Sequence, residues 1–154
     1  MSNSAFTFHS GPYAAGVLLA YDSDDTGPSV TRISGNTGTP ITSVGELAVT
    51  VTNRPVFISA YTGLSVATAD CFGYLAIHES TSSGFTPADG NLVQYGYQTF
   101  VTSGGLLGPM AVVWYQNTPG TYYYKLTANL SVGSGNTLTI GGAQTTLAFQ
   151  AVSG

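Results

Sequence analysis

The fold of this chain is decided by the stretch Thr121-Tyr122-Tyr123-Tyr124-Lys125-Leu126-Thr127-Ala128-Asn129-Leu130-Ser131-Val132. Every second residue from Tyr122 onward is aromatic or aliphatic, and apart from Tyr123 the residues between them are polar or charged. A period of two residues is typical of a β-strand that buries one face. The stretch therefore predicts a long strand with Tyr122, Tyr124, Leu126, Ala128, Leu130 and Val132 on its inner face.

The same alternation recurs in shorter segments, which are separated by clusters of Gly, Pro, Ser and Asn that are typical of turns. Residues that favour helices, such as Glu, Lys and Arg, are scarce, so no crossover helices are expected. The pattern predicts an all-β chain folded as an antiparallel β-sandwich, with the jelly roll favoured and other Greek-key sandwiches left open. The expected strands are 14–21, 30–33, 44–52, 55–61, 71–78, 92–101, 109–116, 121–132, 137–140 and 145–152.

With 154 residues the chain is expected to form one globular unit. Residues 1–43 are rich in Gly and Pro and are interpreted as an N-terminal arm followed by the first edge strands, and residues 44–154 as the sandwich. In the extended arm 1–10, Phe6 and Phe8 would project from the same side. They could anchor the arm on a neighbouring molecule or cover an edge of the protein's own sheet.

Charged residues make up only 6% of the chain, against about 25% in an ordinary soluble domain. The basic residues are Arg32, Arg54 and Lys125, too few to neutralise the ~6–10 phosphates of a typical nucleic-acid grip. Binding to nucleic acid or to an anionic membrane is therefore not expected. The N-terminus shows no secretory signal pattern, so we expect synthesis as a soluble protein in the cytoplasm.

Few residues could carry catalysis or bind a metal. The single cysteine, Cys71, is interpreted as a buried thiol rather than a nucleophile, because its possible bases are only His9 and His78. His78 lies seven residues further on and would point to the opposite face of a strand. The sequence contains no Gly-x-Ser-x-Gly, Walker-type or His-Glu-x-x-His motif, so no enzyme and no cofactor are expected.

The acidic cluster Asp22, Asp24 and Asp25 offers alternating carboxylates that could ligate Ca²⁺. The twelve-residue calcium-loop motif is absent, however, and a solvated surface turn is the favoured interpretation. No metal is therefore expected. The remaining carboxylates are isolated in the sequence, so no pair stands out as the acid and base of a glycosidase.

Tyrosine is the abundant functional side chain, with ten copies beside a single tryptophan. Exposed Tyr and Trp bind sugar faces or form protein interfaces, because they are large, rigid and amphipathic. They can equally lie in the core of the sandwich. The candidate interface or glycan-contacting residues are Tyr95, Tyr97, Trp114, Tyr115 and Tyr123.

The run Asn117-Thr118-Pro119-Gly120-Thr121-Tyr122-Tyr123-Tyr124-Lys125-Leu126-Thr127-Ala128 resembles the Pro-Gly-Thr-Tyr-x-Tyr-x-Leu-x-Ala signature near the end of many bacteriophage virion domains. A Gly/Asn turn at 133–136, a short strand at 137–140 and a last strand at 146–152 follow in the same order. This order also resembles the jelly roll of the tumour-necrosis-factor/C1q-like proteins, which are commonly trimers with aromatic and apolar residues along the axis. The resemblance begins at about Val44, and the collagen stalk and charged surface of C1q proteins are absent.

The resemblance implies a structural protein on the surface of a phage virion, made in the host cytoplasm. The expected form is a homotrimeric capsid decoration (cement) protein that contacts its own copies and a major capsid or tail protein. The alternative is a knob on a phage head or tail fibre that binds a receptor or a carbohydrate, its partner being a host surface glycan. A groove with clustered aromatic residues would favour the knob, and a flat base with an ordered arm would favour decoration.

Overall fold

The computed structural model describes residues 16–31, 38–66, 71–100, 108–130, 137–140 and 147–154. The expected arm 1–10, with Phe6 and Phe8, lies outside these residues, and so does the side chain of Cys71. The described ranges contain one short 3₁₀ turn, Asp89–Asn91, and the following strands: β1 Leu18–Asp24, β2 Ser29–Thr31, β3 Thr39–Pro40, β4 Leu47–Val51, β5 Val56–Val66, β6 Cys71–Ser80, β7 Leu92–Phe100, β8 Gly108–Gln116, β9 Gly120–Leu130, β10 Thr137–Ile140 and β11 Leu147–Ser153.

These strands form two antiparallel sheets. Sheet I has the order β1-β11-β5-β10-β2, and β8 pairs with β5 along the edge of β5 that β11 leaves open. Sheet II has the order β3-β9-β6-β7, and β4 pairs with β9 in line with β3. The prediction of an all-β chain with two antiparallel sheets in a sandwich is confirmed.

The strand β9 carries the alternation that the sequence predicts. Tyr122, Tyr124, Leu126, Ala128 and Leu130 are all buried and face sheet I across the core. They form one core cluster with the inner side chains of β4 in sheet II and of β5, β10 and β11 in sheet I, whose largest fully buried members are Leu47, Ile58, Leu64, Leu138, Ile140, Leu147 and Phe149. The core therefore lies between the two sheets, and each sheet has a second face that points outward.

Two strands, β5 and β1, run at least three residues further than the alternation predicts. The expected strand 55–61 continues to Val66, because Thr62, Gly63 and Leu64 are buried in succession and break the period of two. The first strand continues past Tyr21 to Asp24, where it pairs with Leu147 of β11. In both places tertiary contacts bury polar or small residues that a sequence pattern assigns to a turn.

The sheets approach each other closely at Gly73 of β6. A Cβ atom placed on this glycine would lie 2.6 Å from Cδ1 of Leu138, which is fully buried in β10 of the opposite sheet. Leu138 is held by its neighbours on all sides, so it has little room to move away. The glycine is thus a packing requirement of the core.

We expect Gly73→Ala to lower the free energy of unfolding by about 1–3 kcal/mol, because the added methyl group overpacks the core against Leu138. Denaturant unfolding followed by circular dichroism measures the change. Gly90→Ala is the matched control, because a Cβ atom there meets nothing within 4 Å. Equal stability of the two variants would contradict the close approach of the sheets.

Candidate functional site

The outward face of sheet I carries three registered rows of side chains across the strands β1, β11, β5 and β8. The first row is Leu18, Val152, Phe57 and Tyr115, the second is Tyr21, Gln150, Ser59 and Val113, and the third is Ser23, Ala148, Tyr61 and Ala111. A bulge in β1 between Leu18 and Ala20 brings both Leu18 and Tyr21 to this face. We call these twelve residues the sheet I face.

The sheet I face is uncharged and largely apolar. It contains no Asp, Glu, Lys or Arg, and six of its large side chains are exposed: Leu18, Tyr21, Phe57, Tyr61, Val113 and Tyr115. The rings of Phe57 and Tyr115 pack on each other with centroids 5.4 Å apart. A contiguous exposed patch of this kind is typical of a surface that another molecule covers.

A second aromatic group lies on the outward face of sheet II, on the other side of the molecule. The side chains of Phe72 and Tyr74 from β6 and of Leu92, Tyr95 and Tyr97 from β7 line an open cleft of about 460 Å³. Tyr95 and Tyr97 are 57% and 65% exposed. We call this the sheet II cleft, and its volume falls in the range of about 300–1,000 Å³ that is typical of ligand pockets.

Pairwise ring contacts hold the walls of the sheet II cleft. The Phe72 and Tyr97 centroids are 5.8 Å apart with the planes tilted by 57°, and the Tyr74 and Tyr95 centroids are 6.4 Å apart at 64°. Asn129 Nδ2 donates a hydrogen bond of 2.9 Å to the Tyr74 hydroxyl. Burial, together with the negative charge of Asp89, raises the pKa of the Tyr74 hydroxyl above its usual 10.0, so it stays neutral.

The segment 81–91 lies over the part of sheet II around His78 and Lys125. His78 is fully buried beneath it, and its Nδ1 lies 3.0 Å from Asn91 Oδ1 and 3.2 Å from the carbonyl oxygen of Ala88. Its Nε2 lies 2.9 Å from Thr127 Oγ1 of β9. Because both ring nitrogens have partners in the fold, His78 holds the segment in place and does not face the cleft as a base.

An ion pair fixes the other end of this segment. Lys125 Nζ lies 3.5 Å from Glu46 Oε2 and donates a hydrogen bond of 2.6 Å to the carbonyl oxygen of Phe85. Glu46 in turn accepts hydrogen bonds from Ser83 Oγ and from the amide of Gly84. Both charges are therefore used to attach a loop to the sheet.

A carboxylate also lies between the sheets. Glu79 of β6 accepts hydrogen bonds of 3.0 Å from Trp114 Nε1 and from Gln116 Nε2 of β8. Burial and the nearby Glu79 carboxylate raise the pKa of the Tyr124 hydroxyl, which has no hydrogen-bond partner among the described residues. Glu79 thus ties β6 of sheet II to β8 of sheet I.

The acidic cluster is not the solvated turn that the sequence favours. Asp22 and Asp24 are buried on the inner face of β1, and only Asp25 is exposed. Asp22 accepts hydrogen bonds from the amides of Ser23 and Gly45, and Asp24 from the amide and hydroxyl of Thr26. Their burial is tolerated because the carboxylates accept these hydrogen bonds, so the buried polar groups on both sides have partners.

The five aromatic candidates from the sequence divide between different surfaces. Tyr115 lies on the sheet I face, whereas Tyr95 and Tyr97 line the sheet II cleft. Tyr123 is half-buried on the outward side of β9. Trp114 packs against the core, and its indole N–H donates a hydrogen bond to Glu79. The sequence analysis did not single out Phe57, Tyr61, Phe72 or Tyr74, although the period of two within their strands could have placed each on an outward face.

No known protein family matches the chain, and no curated protein is detectably similar to it. In the described part of the chain, no three His, Cys, Asp or Glu residues come together in a way that could hold a metal ion. The same residues include no helix long and apolar enough to cross a membrane. The two aromatic surfaces are the candidate functional sites, because each exposes large apolar or aromatic side chains.

The lowered pKa of Asp24 predicts how the stability of the fold depends on pH. Burial would raise this pKa, but hydrogen bonds, led by that of the Thr26 hydroxyl, outweigh it and lower the pKa below the ordinary 3.8. A carboxyl whose pKa is lower in the folded state stabilises the fold above pH ~4 and loses that contribution as the pH falls through its folded pKa. We expect Asp24→Asn to lower the free energy of unfolding by about 1 kcal/mol at pH 7, and by progressively less below pH 4.

Urea unfolding at pH 7, 4 and 2.5 measures this difference. Asp25→Asn is the matched control, because Asp25 is the exposed neighbour in the same turn. A cost of Asp24→Asn that stays constant over this pH range would contradict the assigned role of the carboxylate.

Proposed function

We propose that this chain is a structural protein of a bacteriophage particle, a trimeric jelly-roll capsid decoration protein. The strand order supports the jelly roll. When the long strands β1, β4, β5, β6, β7, β8, β9 and β11 are counted in sequence from one to eight, sheet I contains the order 1-8-3-6 and sheet II the order 2-7-4-5. This arrangement fits a double Greek key of eight strands.

The observation that carries the proposal is the sheet I face. Its exposed aromatic and aliphatic side chains form an uncharged patch over four registered strands. Contact between copies buries these side chains without removing any charge from water, so the desolvation cost of association is low. The trimer itself rests on the resemblance to the tumour-necrosis-factor/C1q-like proteins, in which aromatic and apolar residues line the threefold axis.

The scarcity of charge supports a virion role. A protein that is packed against its neighbours at a fixed position gains from few charged side chains, because each charge buried in a contact must be removed from water. The expected partners are further copies of this chain and a major capsid or tail protein. The proposed location is the virion surface.

A charge placed at the centre of the sheet I face tests self-association. We expect the purified protein to have three times the 15.8 kDa mass of one chain by light scattering, and Val113→Asp to reduce it to 15.8 kDa. Val113 is half exposed in the middle row of the sheet I face, so the variant should fold normally. In the assembly, however, the new carboxylate would be removed from water. Thr121→Asp on the exposed side of β9 is the control and should leave the mass unchanged.

A mass of 15.8 kDa for the unmodified protein would contradict the trimer. A mass that falls equally in both variants would show that the sheet I face is not the contact.

Attachment to the particle is a separate prediction. If the segment 1–10 with Phe6 and Phe8 is an anchoring arm, its deletion should leave the circular dichroism spectrum and the oligomer mass unchanged. The truncated protein should then fail to sediment with empty capsids of the phage that encodes it, whereas the full chain should sediment. Unfolding of the truncated protein would show instead that these residues cover the protein's own sheet.

A second candidate function is favoured by the sheet II cleft. Clustered aromatic residues in a concave surface are what a receptor- or carbohydrate-binding knob requires, with a host surface glycan as the partner. Both functions can belong to one protein, because the sheet I face and the sheet II cleft lie on opposite sides of the sandwich.

A further inference from the structure

We propose that the sheet II cleft binds an uncharged saccharide, which stacks on the rings of Tyr95 and Tyr97. This inference rests on the second function proposed above, carbohydrate binding, and names its ligand class and the rings that stack on it; it does not depend on the trimeric structural role. Both rings project from the edge strand β7 and are more than half exposed. Phe72 and Tyr74 of β6 line the same cleft.

The first argument is the charge of the cleft. Its described lining is aromatic apart from Leu92, and none of the side chains that line it is charged. An anionic sugar or a phosphate would lose its hydration there with no cation to replace it. The described basic residues are engaged elsewhere, Lys125 with Glu46 and Phe85, and Arg54 with the carbonyl oxygen of Gly154.

The second argument is the chemistry of the rings. A pyranose has an apolar face of C–H groups and a rim of hydroxyl groups, and a tyrosine offers an apolar ring with a hydroxyl at its tip. The neutral Tyr74 hydroxyl and the Asn129 amide that is bonded to it add polar groups at the wall. A purely apolar ligand would remove water from these groups without offering a hydrogen bond in return, which costs binding free energy.

The third argument is preorganisation. Each exposed tyrosine packs against a ring of β6, Tyr97 against Phe72 and Tyr95 against Tyr74. β7 itself is held close to β8, because a Cβ atom on Gly96 would lie 3.3 Å from the carbonyl oxygen of Ala111. A ligand therefore meets rings that are already in place, and less conformational entropy is lost on binding.

The position of the cleft also suits display. The sheet I face points to the opposite side, so contact between copies through that face leaves the cleft open to solvent. Several copies on one particle would then present several clefts to the same polysaccharide, and weak single sites would combine into firm attachment.

The test uses the full-length protein and a panel of tetrasaccharides, built from glucose, mannose, galactose or N-acetylglucosamine, with a uronic-acid tetrasaccharide as the charged comparison. Saturation-transfer NMR and calorimetric titration measure binding. We expect at least one neutral tetrasaccharide to bind with a dissociation constant between about 10 µM and 1 mM, and the uronic-acid probe not to bind.

Variants then locate the site. We expect Tyr97→Ala to weaken binding at least about tenfold and Tyr97→Phe to weaken it less, because the phenylalanine keeps the stacking ring. Thr121→Ala, at an exposed position of β9 outside both aromatic surfaces, is the control and should leave the affinity unchanged. Both residues changed are exposed, and thermal unfolding verifies that each of the three variants is folded.

Three results would overturn the proposal. One is a failure of every neutral probe to bind, another is equal binding by wild type and Tyr97→Ala, and the third is preferential binding of the charged probe. A lower oligomer mass of Tyr97→Ala would also overturn it, because the cleft would then be a contact between copies. If the light-scattering test with Val113→Asp contradicts the trimer, saccharide binding at the cleft is unaffected. The two proposals therefore fail in different experiments.

Discussion

The pairing of β9 with β6 is the constraint on which the rest of the structure depends. Its register places Leu75 opposite Ala128 and Ile77 opposite Leu126, which brings the buried faces of both strands to the same side. A slip of one residue would exchange the inner and outer faces of sheet II and expose Tyr124, Leu126 and Leu130 to water. The same register directs Phe72 and Tyr74 outward, so the core and the sheet II cleft are consequences of one alignment.

Charge is the second constraint, because the chain has so little of it. Five of the described charged groups make contacts within the fold: Asp22 and Asp24 accept backbone hydrogen bonds, Glu79 joins the sheets, and Glu46 with Lys125 attaches the segment 81–91. Neither the sheet I face nor the described lining of the sheet II cleft contains a charged side chain. Such faces interact through shape, ring contacts and hydroxyl groups, and this is why both proposed interactions involve neutral surfaces.

Much of the fold could be predicted from the sequence, since alternation is a local property. The strand 137–140 has the predicted bounds, and the inner face of β9 is occupied by the residues that the alternation assigns to it. The prediction was wrong where tertiary contacts override the pattern. β5 continues through Thr62 and Gly63, and Asp22 and Asp24 are buried because distant backbone amides and a neighbouring hydroxyl need acceptors.

The sequence by itself determined the fold class and the inner and outer face of each regular strand, because both follow from a period of two residues. It also determined the small number of charged side chains, which is a matter of composition. Only the tertiary structure decided which aromatic residues share a surface. Tyr115 and Tyr97 are equivalent in the sequence, yet strand order places one beside Phe57 and the other beside Phe72, on opposite sides of the sandwich. Trp114 faces the core, where its indole N–H donates a hydrogen bond to Glu79, 35 residues away in the chain. Pairing partners so distant are selected by the packing of the whole chain, and no local pattern encodes them.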